Sequence, residues 1–458
     1  MAERYEIVTK ALHKMLEEKK FSALRDILSV MNPSDIAELF LDVEPQQIPL
    51  LFRLLPKSSA AETFVEMETE EQEVLIRAFS DSELKQIVDD LFVDDAAALV
   101  EEMPANVVQR ILRQADPEMR ASINRILRYP ENSAGSLMTT EYVSLRPDMT
   151  VGESLQRIRR EGIDKETIYT CYVTRSRTLV GLVTVKDLLL APNDDIPIEE
   201  IMITNLISVT THADQEEVAK MFGKYDFLAL PVVDGENRMV GIITFDDAMD
   251  VIEAETTEDM ELMGGMTPSE KPYLKSTPFE LFKNRVPWLM LLMVSATFTG
   301  LIITAFEGAL AAQVALTAFI PMLMGTGGNS GSQSSVTVIR ALSLDEVRFS
   351  DLGRVVWKEL RTAVLCGVAL AVVCFVKIWL VDKLLFGNND ITLMVDLVVC
   401  LALALTVILA KVVGSILPLG AKALKLDPAV MASPFISTIV DALSLLVYFM
   451  FAQMILKI

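Results

Sequence analysis

The chain has 458 residues, 51% of them hydrophobic, and a formal net charge of −22. The average hides a division: before Val286 acidic residues outnumber basic ones 53 to 30, whereas from Val286 onward the counts are 10 and 11. An acidic half in water and an apolar half in lipid are implied, and the acidic half argues against a nucleic-acid partner, whose phosphates it would repel.

Met1 to Lys20 alternates charged and apolar residues without the apolar core of a secretory signal, so the first half is expected to stay in the cytosol. Residues 1–130 read as an all-α superhelical N domain. Apolar positions recur at helical spacing, as at Ile36, Leu39, Phe40 and Val43. Breaks at Pro33, Pro56, Ser80-Asp81 and Pro104 fall about two dozen residues apart, the spacing of helical hairpins.

Residues 131–253 contain a duplication. Leu137-Met138-Thr139 opens one copy and Ile201-Met202-Ile203 the next. Gly181-Leu-Val-Thr184-Val-Lys-Asp187 returns 60 residues later as Gly241-Ile-Ile-Thr244-Phe-Asp-Asp247. Each copy runs strand, helix, strand, strand, helix, with strands expected at Thr170–Thr174, Leu179–Val183, Ala229–Val233 and Met239–Ile243. This pattern resembles a tandem pair of α/β CBS domains.

A connecting (plug) helix is expected over 254–283, preceded by acidic helix from Asp250 and broken at Gly264-Gly265. A five-helix α transmembrane domain over 284–458 follows. Its apolar segments are Val286–Phe306, Ala309–Ile339, Thr362–Val381, Ile391–Ala410 and Pro428–Leu456. Each is long enough to cross a hydrocarbon core of about 30 Å as a helix. Lys283 and Arg285 precede the first span; Arg340, Arg348, Arg354, Lys358 and Arg361 follow the second; Lys411, Lys422 and Lys425 follow the fourth. The alternation predicts a multi-pass protein with its N-terminus inside and its C-terminus outside.

Four scattered cysteines, Cys171, Cys366, Cys374 and Cys400, and only two histidines, His13 and His212, argue against a thiolate or imidazole metal site. A metal here is held by oxygen, which suits Mg²⁺ or Ca²⁺. Asp441, near the middle of the last span, is the first candidate, because a carboxylate in hydrocarbon is costly and such residues line ion paths. Pro434 frees the carbonyl of Val430 nearby. The run Pro321-Met-Leu-Met-Gly325-Thr-Gly327-Gly328-Asn329-Ser-Gly331-Ser-Gln333 is the second, since its glycines allow close backbone approach and its amides offer oxygen. Small-residue packing between helices is the plainer reading of the glycines.

Together, P-x-L-x-G-T-G-G-N-x-G-x-Q and the later P-A-x-x-x-x-P-x-x-x-T-x-x-D resemble the MgtE family of Mg²⁺ channels, and the likeness covers the whole chain. The resemblance implies a homodimer in the plasma (inner) membrane that admits Mg²⁺, with a two-fold pore lined by the second and fifth spans. It implies Asp441 as selectivity carboxylate, with Ser437, Gly325, Gly328, Asn329 and Gln333 around it. It also implies closure by intracellular Mg²⁺ bound among Asp94, Asp95, Asp226, Asp247, Asp250, Glu255, Glu258 and Asp259, with Asp427 approaching from the loop before the last span. By themselves such acidic runs are usually solvated faces. Thr184/Asp187 and Thr244/Asp247 have the residue types that contact the ribose of ATP in CBS pairs, and equally those that cap helices. The chain is expected to be no enzyme. The alternatives are an ion-coupled Mg²⁺/Co²⁺ carrier, an intramembrane aspartyl protease using Asp396 and Asp441, and a membrane-anchored nucleotide receptor.

Overall fold

The structure, a computed structural model, describes residues 11–457 apart from 13, 17, 270, 272 and 388–390, and the side chains of Ser58 and Ser433. His13 and the first ten residues therefore lie outside it. Two compact units divide the chain, Met1–Ile252 and Glu253–Ile458.

The first unit opens with short helices: α1 Phe21–Leu28, α2 Pro33–Leu41, α3 Ile48–Phe52, α4 Lys57–Val65, α5 Thr69–Ala78, α6 Asp81–Asp90, α7 Val93–Glu102, α8 Ala105–Gln114 and α9 Pro117–Ile126. From Lys57 onward the starts are twelve residues apart. The repeat has a physical basis. Met67, Phe79, Leu91, Met103 and Ala115 occupy the bends and are all buried, and so are Leu75, Ile87, Leu99, Ile111 and Ile123 within the helices. One apolar anchor per bend and one per helix is enough to wind the chain around a single core. The breaks at two-dozen spacing are thus every second bend. Of the intervening bends, the one before α9 has Pro117, whereas the one before α7 lacks proline and is made by the extended cap residues Leu91 and Phe92. Ser80 and Glu83 form a reciprocal capping box at the start of α6, and Asp116 caps α9 by accepting from the Met119 amide at 2.7 Å.

The CBS copies follow in the expected order. The first is β1 Tyr142–Leu145, α10 Val151–Glu161, β2 Thr167–Arg175, β3 Thr178–Thr184 and α11 Val185–Leu189. The second is β4 Val209–Thr210, α12 Gln215–Tyr225, β5 Ala229–Val233, β6 Met239–Thr244 and α13 Phe245–Met263. In each sheet the first pair of strands is parallel and the second antiparallel. The copies exchange edges: Thr139, leading the first copy, bridges Ile242 of β6, and Ile203, leading the second, bridges Leu182 of β3. The repeated glycines explain themselves here. A Cβ on Gly181 would stand 2.5 Å from the Met202 sulfur, and one on Gly241 2.6 Å from the Thr139 carbonyl oxygen.

The connecting helix is the end of α13, one uninterrupted 19-residue helix that begins inside the second CBS copy. In the second unit its end turns at Gly265, whose φ of +69° suits a residue without Cβ. A side chain there would stand 2.3 Å from the Trp288 indole nitrogen and 3.0 Å from Pro434.

The membrane helices are α14 Pro278–Ala305, α15 Ile320–Ser343, α16 Leu352–Lys377, α17 Leu393–Ala423 and α18 Ser433–Leu456. Four stretches are long and apolar enough to cross a bilayer: Pro278–Ala305, Phe349–Leu385, Leu393–Ala423 and Pro428–Leu456. The fifth, α15, falls below that hydropathy because Gly and Ser fill its middle. Its 24 residues are nevertheless about 36 Å long, and it packs against both α17 and α18. It starts later than the apolar segment suggests, after a short helix at Glu307–Ala312 and a 3₁₀ segment at Val314–Phe319. Lys411 corrects the sequence reading. It belongs to no loop but lies inside α17, 5% exposed, so the basic residues following the fourth span are Lys422 and Lys425.

Candidate functional site

In the first unit, two helix N-termini bring carboxylates together. Asp94 and Asp95 occupy the first turn of α7, and Asp246 and Asp247 the first turn of α13. Glu141 and Glu166 join them from either side of α10. Glu141 accepts from the Thr139 hydroxyl at 2.6 Å and from the Val93 amide at 3.4 Å, which ties the cluster to α7. Glu166 has one carboxylate oxygen buried and unpartnered among the described residues. Burial is the main force on Asp94, Asp95, Glu166 and Asp247. It lifts Asp94 well above the carboxylate range, with Asp247, Asp95 and Glu166 adding repulsion. Burial with Asp247 and Asp246 pushes Asp95 to about 7, and burial with Asp247 and Asp95 pushes Glu166 to about 8. Asp247 is also raised by burial, partly opposed by its hydrogen bonds from Thr244. The charges that act most on Asp94, Asp95 and Glu166 are all other carboxylates. Helix N-termini favour anions by about 0.3–1 kcal/mol each, too little to offset this crowding.

Such a cluster is a sink for protons or for a hard cation. Among the described residues no three Asp, Glu, His or Cys side chains are spaced to ligate one ion directly. Carboxylate oxygens are the donors that hard cations such as Mg²⁺ prefer.

Asp94, Asp95 and Asp247 are thus neighbours. Glu141, Glu166 and Asp246 complete the group, and the first two had no sequence signal, being single acidic residues outside any run. Asp250 lies one turn along α13 and adds repulsion to Asp247. Asp226 is exposed, in a left-handed conformation at the end of α12. The remaining acidic candidates belong to the second unit. Glu255 and Glu258 lie further along α13. Asp259 accepts from the Ser343 hydroxyl at 3.4 Å, and Asp427 caps the turn before α18 by accepting from the Ala429 amide at 2.7 Å. Thr184/Asp187 and Thr244/Asp247 both act as helix caps: each Asp carboxylate accepts from its Thr hydroxyl and amide.

The glycine-rich helix has two faces. Gly327, Gly328 and Gly331 are buried, and a Cβ on them would meet Ser444, Ser437 and Ile436 of α18 at 2.8, 3.2 and 2.8 Å. Close packing is their role, and Gly328 shares it. Gly325, Asn329 and Gln333, spaced by four, line the opposite face and are exposed, and a Cβ on Gly325 would meet nothing within 4 Å. Asp441 is half-buried on α18, one turn beyond Ser437. Thr438 spends its hydroxyl on the Pro434 carbonyl at 3.2 Å. Asp396, by contrast, is sealed in the first turn of α17 and accepts a weak bond from the Cys400 thiol at 3.4 Å.

Sequence profiles match in three places: a divalent cation transporter family, MgtE, over 320–451; the MgtE intracellular N domain over 31–132; and CBS domains over 134–194 and 198–254. Fold and profiles together define a multi-pass membrane transporter of divalent cations carrying a tandem CBS pair. "Magnesium transporter MgtE" of Thermus thermophilus is 37% identical over 452 residues, 98% of each chain. The protein of the same name in Bacillus subtilis is 36% identical over 361 residues, 78% of this chain and 77% of its own. The chain belongs to the MgtE family of magnesium transporters. Among solved structures, the cytosolic domain of the Mg²⁺ channel MgtE in complex with ATP is 38% identical, with a TM-score of 0.51, over 53% of this chain and 99% of that one. The soluble part of a magnesium transporter aligns with the same TM-score at 27% identity.

Proposed function

We propose that the protein is a Mg²⁺-selective channel for magnesium uptake that intracellular Mg²⁺ closes. The observation that carries this reading is the carboxylate group of Asp94, Asp95, Glu141, Glu166 and Asp247, all half-buried, with Asp246 exposed at its edge; the charges that act most on Asp94, Asp95 and Glu166 are all carboxylates. With Mg²⁺ scarce, the ionised carboxylates repel and part α7 from the start of α13. When Mg²⁺ is abundant its charge offsets theirs and the two stay together. Asp226, Asp250, Glu255, Glu258, Asp259 and Asp427 extend the same response. Within the second unit, the turn at Gly265 that follows α13 packs against Trp288 and Pro434, which places it beside the start of α18.

The ion path runs along the Gly325, Asn329 and Gln333 face of α15, with Asp441 and Ser437 on α18. A polar stripe left open on a membrane helix is best accommodated by a second copy, hence a homodimer with water between the stripes. Two facing Asp441 carboxylates repel each other unless a divalent ion stands between them. The N-terminus is cytosolic and the C-terminus outside, since the basic loops that remain after the reassignment of Lys411 still alternate. Nucleotide is the second ligand: the relative's cytosolic domain is described in complex with ATP, and Thr184/Asp187 and Thr244/Asp247 are the matching pairs here.

Purified full-length protein in liposomes tests both parts. Asp441→Ala is expected to abolish Mg²⁺ influx, and Asp94→Ala with Asp95→Ala to leave influx running at Mg²⁺ concentrations that close the parent. Saturating flux coupled to a second ion would instead identify a carrier of Mg²⁺ or Co²⁺.

A further inference from the structure

The membrane unit brings together two opposite charges that the transport reading does not use, a buried Lys411 and a half-buried Glu359. Lys411, in the middle of α17, is 5% exposed. Its ammonium reaches the Ser334 hydroxyl at 3.5 Å, a long contact, and that hydroxyl donates to Glu359 of α16 at 2.6 Å. Ser334 lies on α15, directly after Gln333. Three helices therefore meet in one chain of polar contacts, ammonium to hydroxyl to carboxylate. A charge buried in a membrane helix is costly, and a cheaper sequence would place an apolar residue at 411.

The location of the chain is informative. One turn away, the backbones of α15 and α17 make their close approach: a Cβ on Gly414 would stand 2.2 Å from the Gly331 carbonyl oxygen, and one on Gly331 3.2 Å from that of Ala410. Glycine contacts alone resist separation poorly and sliding hardly at all, because they contribute no directional bond. The Lys411–Ser334–Glu359 chain supplies direction at that crossing. We infer that Lys411, Ser334 and Glu359 are positioning residues that lock the rotation and height of α15, and so set the spacing of Asn329 and Gln333 along the ion path. The inference rests on the reading that this face of α15 borders the path.

A serine hydroxyl both donates and accepts, so the lock should work with its charges exchanged. Full-length variants in liposomes are compared for Mg²⁺ influx per folded protein and for preference of Mg²⁺ over Ca²⁺. Glu359→Gln leaves the buried Lys411 without its counter-charge and Lys411→Met leaves the half-buried Glu359 without one, and each is expected to cut influx about tenfold. Lys411→Glu combined with Glu359→Lys should restore influx to within about threefold of the parent. Lys411→Met combined with Glu359→Gln removes both charges and should fold, since replacing a buried pair by neutral groups is often neutral for stability. With the lock gone, its Mg²⁺ over Ca²⁺ preference should fall about tenfold, a change that a purely structural pair would not produce. An exchanged pair no better than the single variants overturns the inference, and so does a neutral pair with parental influx and preference. Asp441→Ala is run alongside: if it conducts normally, the path itself is misassigned and the lock falls with it, which separates that failure from the other two.

Discussion

The carboxylate group predicts an unusual response of stability to pH. Asp95 rises from an ordinary value near 3.8 to about 7 in the folded protein, and Glu166 from 4.5 to about 8. Between those values the unfolded chain has released each proton while the folded chain still holds it. Stability therefore falls as pH rises through this interval and levels off above it. From about pH 5.5 to about pH 8 the loss for Asp95 alone is on the order of 2 kcal/mol. Glu166 adds to it. In a unit of this size that lowers the thermal midpoint by about 4–8 °C. Calorimetry of the full-length protein in EDTA should show the cytosolic transition moving down by at least this amount between the two pH values. Mg²⁺ should raise it strongly at the higher pH and weakly at the lower, where protons already neutralise the group. Equal midpoints at both pH values in EDTA would refute the reasoning, as would an equal Mg²⁺ effect at both.

Three further outcomes follow from close contacts. Gly241→Ala should destabilise the CBS pair by about 1–3 kcal/mol in thermal unfolding, because its Cβ meets the Thr139 backbone, whereas Gly181→Ala should cost less because it meets the flexible Met202 side chain. Gly414→Ala drives a methyl into the Gly331 carbonyl and should force α15 from α17, seen as loss of folded protein in size-exclusion chromatography and of Mg²⁺ influx in what remains. Gly265→Ala combines a disfavoured positive φ with a collision against Trp288, so, on the proposed gating, protein carrying it should lose closure by intracellular Mg²⁺ while still conducting, as read by influx at low and high internal Mg²⁺.

The parts of this molecule that were legible in the sequence are those with a strong local signal. The duplicated Gly-x-x-Thr-x-x-Asp ends located both CBS copies, and uninterrupted apolar runs located the spans. The N domain was only half legible. Proline marks some of its bends, but Leu91 and Phe92 turn the chain without one, and their role appears only in the twelve-residue spacing of buried anchors. Lys411 misled for an instructive reason: a basic residue ending an apolar run looks like a loop, whereas here the helix continues through it to Ala423 and its ammonium meets Ser334 of a neighbouring helix. Glu141 and Glu166 were invisible because their importance comes from what the fold sets opposite them, α7 and the start of α13. Gly325 and Gly327 look equivalent in the sequence, yet one faces open space and the other is pressed against α18.

The edge exchange between the CBS copies bears on how the pair can change. Neither half owns all of its own sheet, for Thr139 completes the second copy and Ile203 the first. Melting either copy would strip a bordering segment from its neighbour, so the pair should unfold in a single step. Deleting one copy should leave its sibling unfolded, and a signal arriving at either should be felt by both.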